Sequence, residues 1–181
     1  MIAGGVSLIL AVSLWSGFFG VWRDKLTDLL FTAKPASKEI VIVAIDEASL
    51  RSVGQWPWPR EIFAQALVRL GFASAIGLDV NFKEASSRGA ADDDALAKAL
   101  KDAGLVIVLT AEIQPNGSAS MPLEKFRSQS QQGFANVITS PDGIVRRVRL
   151  GKSGIASFAY KIYQGYRQNR PHPFLQGLEV E

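Results

Sequence analysis

At 181 residues, 48% of them hydrophobic, the chain has enough apolar material for one domain with a proper core and too little for two. It contains no cysteine, which excludes a disulfide framework, a thiolate zinc site and a cysteine nucleophile. The formal net charge of +3 is too weak to point to nucleic acid, but it is unevenly spread: residues 1–143 are net −2 and residues 144–181 net +5. The basic C-terminal portion is either a solvated face or one that lies near anionic headgroups.

Residues 2–22, Ile2 to Trp22, form an uncharged run that ends at Arg23-Asp24-Lys25. At about 1.5 Å per residue a helix of this length covers the roughly 30 Å hydrocarbon core of a bilayer, so the run is expected to be a transmembrane helix. A cleaved signal peptide fits less well, because neither a basic leader nor an Ala-x-Ala exit is evident; a buried core helix is the other competing reading. Ser13 with Gly17, and Ser16 with Gly20, are small residues four apart, the spacing of a candidate dimer seam. Leu26, Leu29 and Leu30 carry an apolar stripe onward, predicting a juxtamembrane helix over 23–34 that Pro35 stops.

Residues 36–170 are expected to form the folded head. The β-branched run Ile40-Val41-Ile42-Val43-Ala44-Ile45 reads as a strand buried on both faces, ending in Asp46-Glu47. A short helix through Leu50 and Val53 ends at Gly54, and the loop Gln55-Trp56-Pro57-Trp58-Pro59-Arg60 follows. Ile62, Phe63, Ala66, Leu67 and Leu70 recur at helical spacing before a second strand, Ala75 to Val80. A helix from Asp92 to Ala103 and a strand from Leu105 to Leu109 repeat the unit. Alternation of this kind predicts an α/β fold, a mostly parallel sheet flanked by helices.

Residues 111–133, rich in Gln, Ser and Gly, read as a long connection and a candidate mobile flap. Ser140-Pro141-Asp142-Gly143 suits a type I turn between Phe134–Ile138 and Ile144–Leu150, an antiparallel hairpin expected to join the sheet edge. A helix from Ile155 to about Tyr166 closes the head, and residues 171–181 form a tail with the sole histidine, His172.

The strand ending in Asp46, the Trp56-Pro57-Trp58-Pro59-Arg60 loop, Gly77-Leu78-Asp79-Val80 with Phe82 and Glu84, the Asp92-Asp93-Asp94 helix start and Asp142-Gly143 before Arg146-Arg147 together resemble the second class of CHASE domains. These are cyclase- and histidine-kinase-associated sensory extracellular domains. The resemblance covers roughly residues 23 to 167, and departs from the family pattern at Ala85, where a proline is expected. It implies an N-terminal span, a sensor outside the inner (plasma) membrane, further spans toward which the 171–181 tail leads, and a cytoplasmic adenylate or guanylate cyclase, protein kinase or diguanylate cyclase as output. It therefore implies a non-enzymatic input domain with an unknown small-molecule or cation stimulus, and the small-residue seam of the span adds the expectation of a homodimer.

Asp46 and Asp79 are placed at the carboxyl ends of strands expected to be parallel, where open α/β sheets bind ligands. With Trp56, Trp58 and Arg60 they are candidate ligand-binding residues. Asp46, Glu47, Asp79, Glu84 and Asp94 are candidate metal ligands, hard oxygen donors suited to Ca²⁺ or Mg²⁺. The plainer alternatives are that Asp46 and Asp92 are N-caps, that the two tryptophans cap the core and that Arg60 holds a carboxylate. Two other functions compete with a sensor: a Mg-dependent phosphate-ester hydrolase, for which no Gly-rich phosphate loop or nucleophile elbow is present, and a ligand-free dimerisation scaffold.

Overall fold

The computed structural model describes Val12, residues 18–30 and residues 37–169. Most of the expected span 2–22, with Ser13, Ser16 and Gly17, and the 171–181 tail with His172, lies outside the described residues. The chain divides into two compact units, Met1–Asp46 and Glu47–Glu181.

In the first unit Phe18–Leu30 is a helix, α1, with Trp22, Leu26, Leu29 and Leu30 exposed. Among the described residues no helix is long and apolar enough to cross a membrane. Ile40–Ile45 is not part of a strand, and Ile40 to Val43 are between 68% and 85% exposed. The expectation of a strand buried on both faces fails here. A β-branched run favours extended backbone, but a strand exists only with a paired neighbour, a long-range contact that local composition does not supply.

The second unit is a mixed α/β structure with a parallel sheet and antiparallel hairpins. Its helices are α2 (Glu47–Val53), α3 (Arg60–Arg69), α4 (Ala90–Asp102), the single turn α5 (Glu124–Arg127) and α6 (Phe158–Asn169). In the main sheet β2 (Val106–Ile113) is central, parallel to β1 (Ala75–Leu78) and to β4 (Gln131–Phe134). It is antiparallel to the short β3 (Ala119–Ser120) at its carboxyl end. Beyond that end the Asn136 side chain imitates a strand, its Oδ1 accepting from Ile113 N at 2.7 Å and its Nδ2 donating to Ile113 O at 3.0 Å.

Each face of the sheet is covered for a different reason. Ile76, Ile107 and Leu109 point into a core shared with Phe63 and Leu67 of α3, Leu96 and Leu100 of α4, Phe82 and Phe126. Side chains alternate along a strand, so Gly77 and Val108 take the other face, where α6 packs. There the absence of side chains admits the helix: a Cβ on Gly133 would lie 2.5 Å from Phe158 Cα, and one on Gly77 would run into Ile162 and Phe158.

The segment 111–133 is not a flap. Phe126 is fully buried in the core, and Leu123 N donates to Phe82 O at 3.0 Å, so one aromatic anchor and one backbone bond pin the chain. The C-terminal hairpin also differs from expectation. It pairs β5 (Ile138–Thr139) with β6 (Val145–Arg147) as a separate two-stranded sheet, with a register shift, rather than extending the main one. The neighbour in the main sheet is instead β4, a Gln-Gln-Gly-Phe sequence with no strand-like apolar pattern. A second small hairpin, β7 (Gly151–Lys152) with β8 (Ile155–Ala156), occupies the start of the expected last helix.

Candidate functional site at the carboxyl rim of the sheet

Chain leaving β1 forms the rim. Asp79 is the first residue beyond β1 and is exposed, and Val80 O accepts from Thr110 Oγ1 on β2 at 3.0 Å. The chain then turns inward at Phe82, which is fully buried. Phe82 begins an aromatic series that runs back to the surface: its centroid is 5.4 Å from Phe63, which lies 6.0 Å from Trp56 and 6.5 Å from Trp58.

The two tryptophans thus have different roles. Trp58 packs on the core cluster, and its indole N–H donates to Gly54 O at 2.7 Å, closing the loop on itself. Trp56 is 46% exposed, stacked obliquely on Trp58 at 6.0 Å, and presents an aromatic surface to solvent.

Arg60, the first residue of α3, points under this loop. Its guanidinium lies over the Phe82 ring at 4.6 Å and donates through Nη2 to Glu84 O at 3.0 Å. Its Nε lies 3.5 Å from Asp93 Oδ1, within ion-pair reach but without a hydrogen bond. Asp93 is buried and Arg60 nearly so, 4% and 12% exposed, so the pair is largely desolvated. Asp93 also accepts from Ser86 N at 3.1 Å, which fixes the loop between β1 and α4.

Asp92 departs from its expected role. The helix that contains it begins at Ala90 with Gly89 at the cap, and no side chain caps it. The Asp92 carboxylate instead caps α3, accepting from Arg60 N at 2.9 Å and Glu61 N at 3.1 Å. The Ser86 hydroxyl donates to it at 2.5 Å. Burial pushes this carboxyl up; the bonds from Ser86, Arg60 and Glu61 and the Arg60 charge outweigh that and hold it below the ordinary aspartate value.

Within the second unit the other acidic candidates do not converge. Glu47 lies on α2, 3.5 Å from Arg51, and Asp94 reaches Lys125 on α5 at 2.6 Å. Glu84 contributes its backbone carbonyl to Arg60. Asp46 is the last residue of the first unit. Among the described residues no three acidic or histidine side chains come together as a metal-holding group.

Sequence reasoning missed Ser86 and the separate tasks of Asp92 and Asp93. Three consecutive acids at a helix start, thirty-odd residues after an arginine at another helix start, were the available signal. Away from the rim, Arg146 makes a two-pronged contact with Asp142 at 2.8 and 2.7 Å, and this bond is the main reason the Asp142 carboxyl falls to about 2. A shallow hollow of about 440 Å³ opens at the amino end of β2, between Leu100, Lys101, Val106, Gln129 and Gln168, opposite in strand sense to the expected crevice.

A family model for the CHASE2 domain matches residues 5–179, almost the whole chain. The chain belongs to the CHASE2 family. No curated protein and no solved structure matches it. CHASE2 domains are extracellular sensory domains, so membership supports a sensory rather than a catalytic role.

Proposed function

We propose that this CHASE2 domain is the extracytoplasmic input module of a membrane receptor, controlling a cytoplasmic nucleotide cyclase or protein kinase. The family match over residues 5–179 carries this reading. The uncharged run from Ile2 to Trp22 supplies the anchor in the inner (plasma) membrane, with the head on the periplasmic or extracellular side. The rim takes the stimulus, a small molecule presented to the exposed Trp56 indole and the exposed Asp79 carboxylate, with Arg60 holding the loop from beneath. Two copies pair through their juxtamembrane helices, and the ligand shifts how those helices pack by its difference in affinity for the two arrangements.

Thermal unfolding of the chain in detergent, scanned against organic acids, sugars, amines, Ca²⁺ and Mg²⁺, tests this function. One compound is expected to stabilise the head by about 2.7 kcal/mol at a hundredfold excess over its dissociation constant. Phosphate-ester turnover in Mg²⁺ that is lost in Asp79→Asn would favour the hydrolase; indifference to every compound would favour the scaffold.

A further inference from the structure

The β5–β6 hairpin stands apart from the main sheet and gives no side chain to the core cluster. Two strands by themselves are marginal in water unless a face is covered. The register sets Ile138 opposite Arg147, which brings Val137 level with Val148, and these two valines are 69% and 72% exposed. Val145, opposite Thr139, is exposed as well. Aliphatic side chains left in water on a paired ladder favour a surface that removes them from it.

The charges interleaved with these side chains are of one sign. From Gly143 to Asn169 the sequence has six Lys or Arg and no Asp or Glu. Arg146 is taken up inside the hairpin by Asp142, and its side chain is only 10% exposed. Arg147, Arg149 and Lys152 are exposed and, among the described residues, form no ion pair. A covering surface must therefore be anionic, and it must be apolar close behind its charge, since valine and arginine alternate from Val145 to Arg149. A second copy fails on the first count, because it would set the same free cations against themselves. An anionic bilayer meets both: its phosphates take guanidinium and ammonium groups in any register, and the acyl boundary beneath takes the valines. An acidic protein could meet the charge, but a bilayer holding this chain's own anchor is present at high effective concentration.

We infer that the β5–β6 hairpin is a lipid-docking surface, with Arg147, Arg149 and Lys152 on the phosphates of anionic headgroups and Val137, Val145 and Val148 at the acyl boundary. The inference rests on the anchored receptor proposed above only for the nearness of a bilayer. A hairpin held in this way gives the head a contact with the membrane besides its anchor, one that depends on the charge of the lipid.

The absence of native cysteine allows a local readout. Val148→Cys in the full chain carries an environment-sensitive fluorophore, and Asn116→Cys, in the turn between β2 and β3, is the control. The chain is reconstituted in phosphatidylcholine vesicles with and without phosphatidylglycerol, and quenching by acrylamide in the water is measured. With phosphatidylglycerol, several-fold weaker quenching is expected from the Val148→Cys label than from the control, and high salt should abolish the difference. Replacing Arg147, Arg149 and Lys152 by Gln should lower the docked-to-free ratio about fivefold per residue and on the order of a hundredfold together, with melting in detergent unchanged. Equal quenching of the two labels on phosphatidylglycerol overturns the inference, as does equal protection on phosphatidylcholine alone. Protection in detergent that rises with protein concentration assigns the hairpin to a second copy, and protection found only in native membranes assigns it to an acidic protein; either overturns docking on lipid. Flotation with the vesicles reads the anchor separately. A chain that floats only with phosphatidylglycerol loses the anchor and keeps the lipid-docking hairpin, and one that floats with neither lipid loses both.

Discussion

Asp92, in the first turn of α4, holds the backbone N–H of Arg60, in the first turn of α3, at 2.9 Å, while its neighbour Asp93 faces the Arg60 guanidinium. One pair of adjacent carboxylates thus fixes both the position of a helix and the direction of its leading side chain. An arginine beneath the tryptophan loop is set by residues more than thirty positions away.

The cap has a pH signature. The folded-state carboxyl of Asp92 lies below its unfolded value of 3.8, so the cap's stabilisation is present above that value and fades as pH falls through the folded one. Asp92→Ala is expected to cost about 0.5–2 kcal/mol at neutral pH. The same substitution should shrink the loss of stability on acidification, measured by urea unfolding at a series of pH values. An unchanged acid limb would show that another group controls it.

Asp93 and Arg60 form a largely desolvated pair, and removing one member strands the other. Asp93→Ala is expected to cost about 3–5 kcal/mol, whereas Asp93→Leu combined with Arg60→Met should cost less than Asp93→Ala alone. A double-mutant cycle by chemical denaturation checks this. Additive losses would place the contribution of Arg60 in its stacking on Phe82 and its bond to Glu84 O.

Phe126 decides whether the 111–133 segment moves as a lid. Phe126→Ala is expected to cost about 3–5 kcal/mol, and amide exchange should accelerate in residues 121–129. A lid would exchange rapidly in the unsubstituted protein and respond little to the change.

The legible parts of the fold were those governed by local periodicity. The helix carrying Phe63 and Leu67, the helix carrying Leu96 and Leu100, and the strands at Ile76 and Ile107 all declare themselves by spacing, and the structure has each of them. Gln131 to Phe134 did not, because a strand held by parallel backbone pairing to β2 and admitted under α6 by Gly133 needs no apolar alternation. Ile40 to Ile45 misled in the opposite direction, having β propensity without a ladder. In the site, the association of Arg60 with a carboxylate and the packing of Trp58 on the core were readable from residue type. That Asp92 would cap a helix other than its own was not, because the partner is set by how α3 and α4 pack.

The central claim, that the head lies outside the membrane, is most directly tested by labelling Asn116→Cys in intact cells with a membrane-impermeant thiol reagent. Asn116 is exposed in the turn between β2 and β3, and the chain has no other cysteine. The account predicts labelling without permeabilisation. Labelling only after the membrane is opened would place the head in the cytoplasm and contradict it.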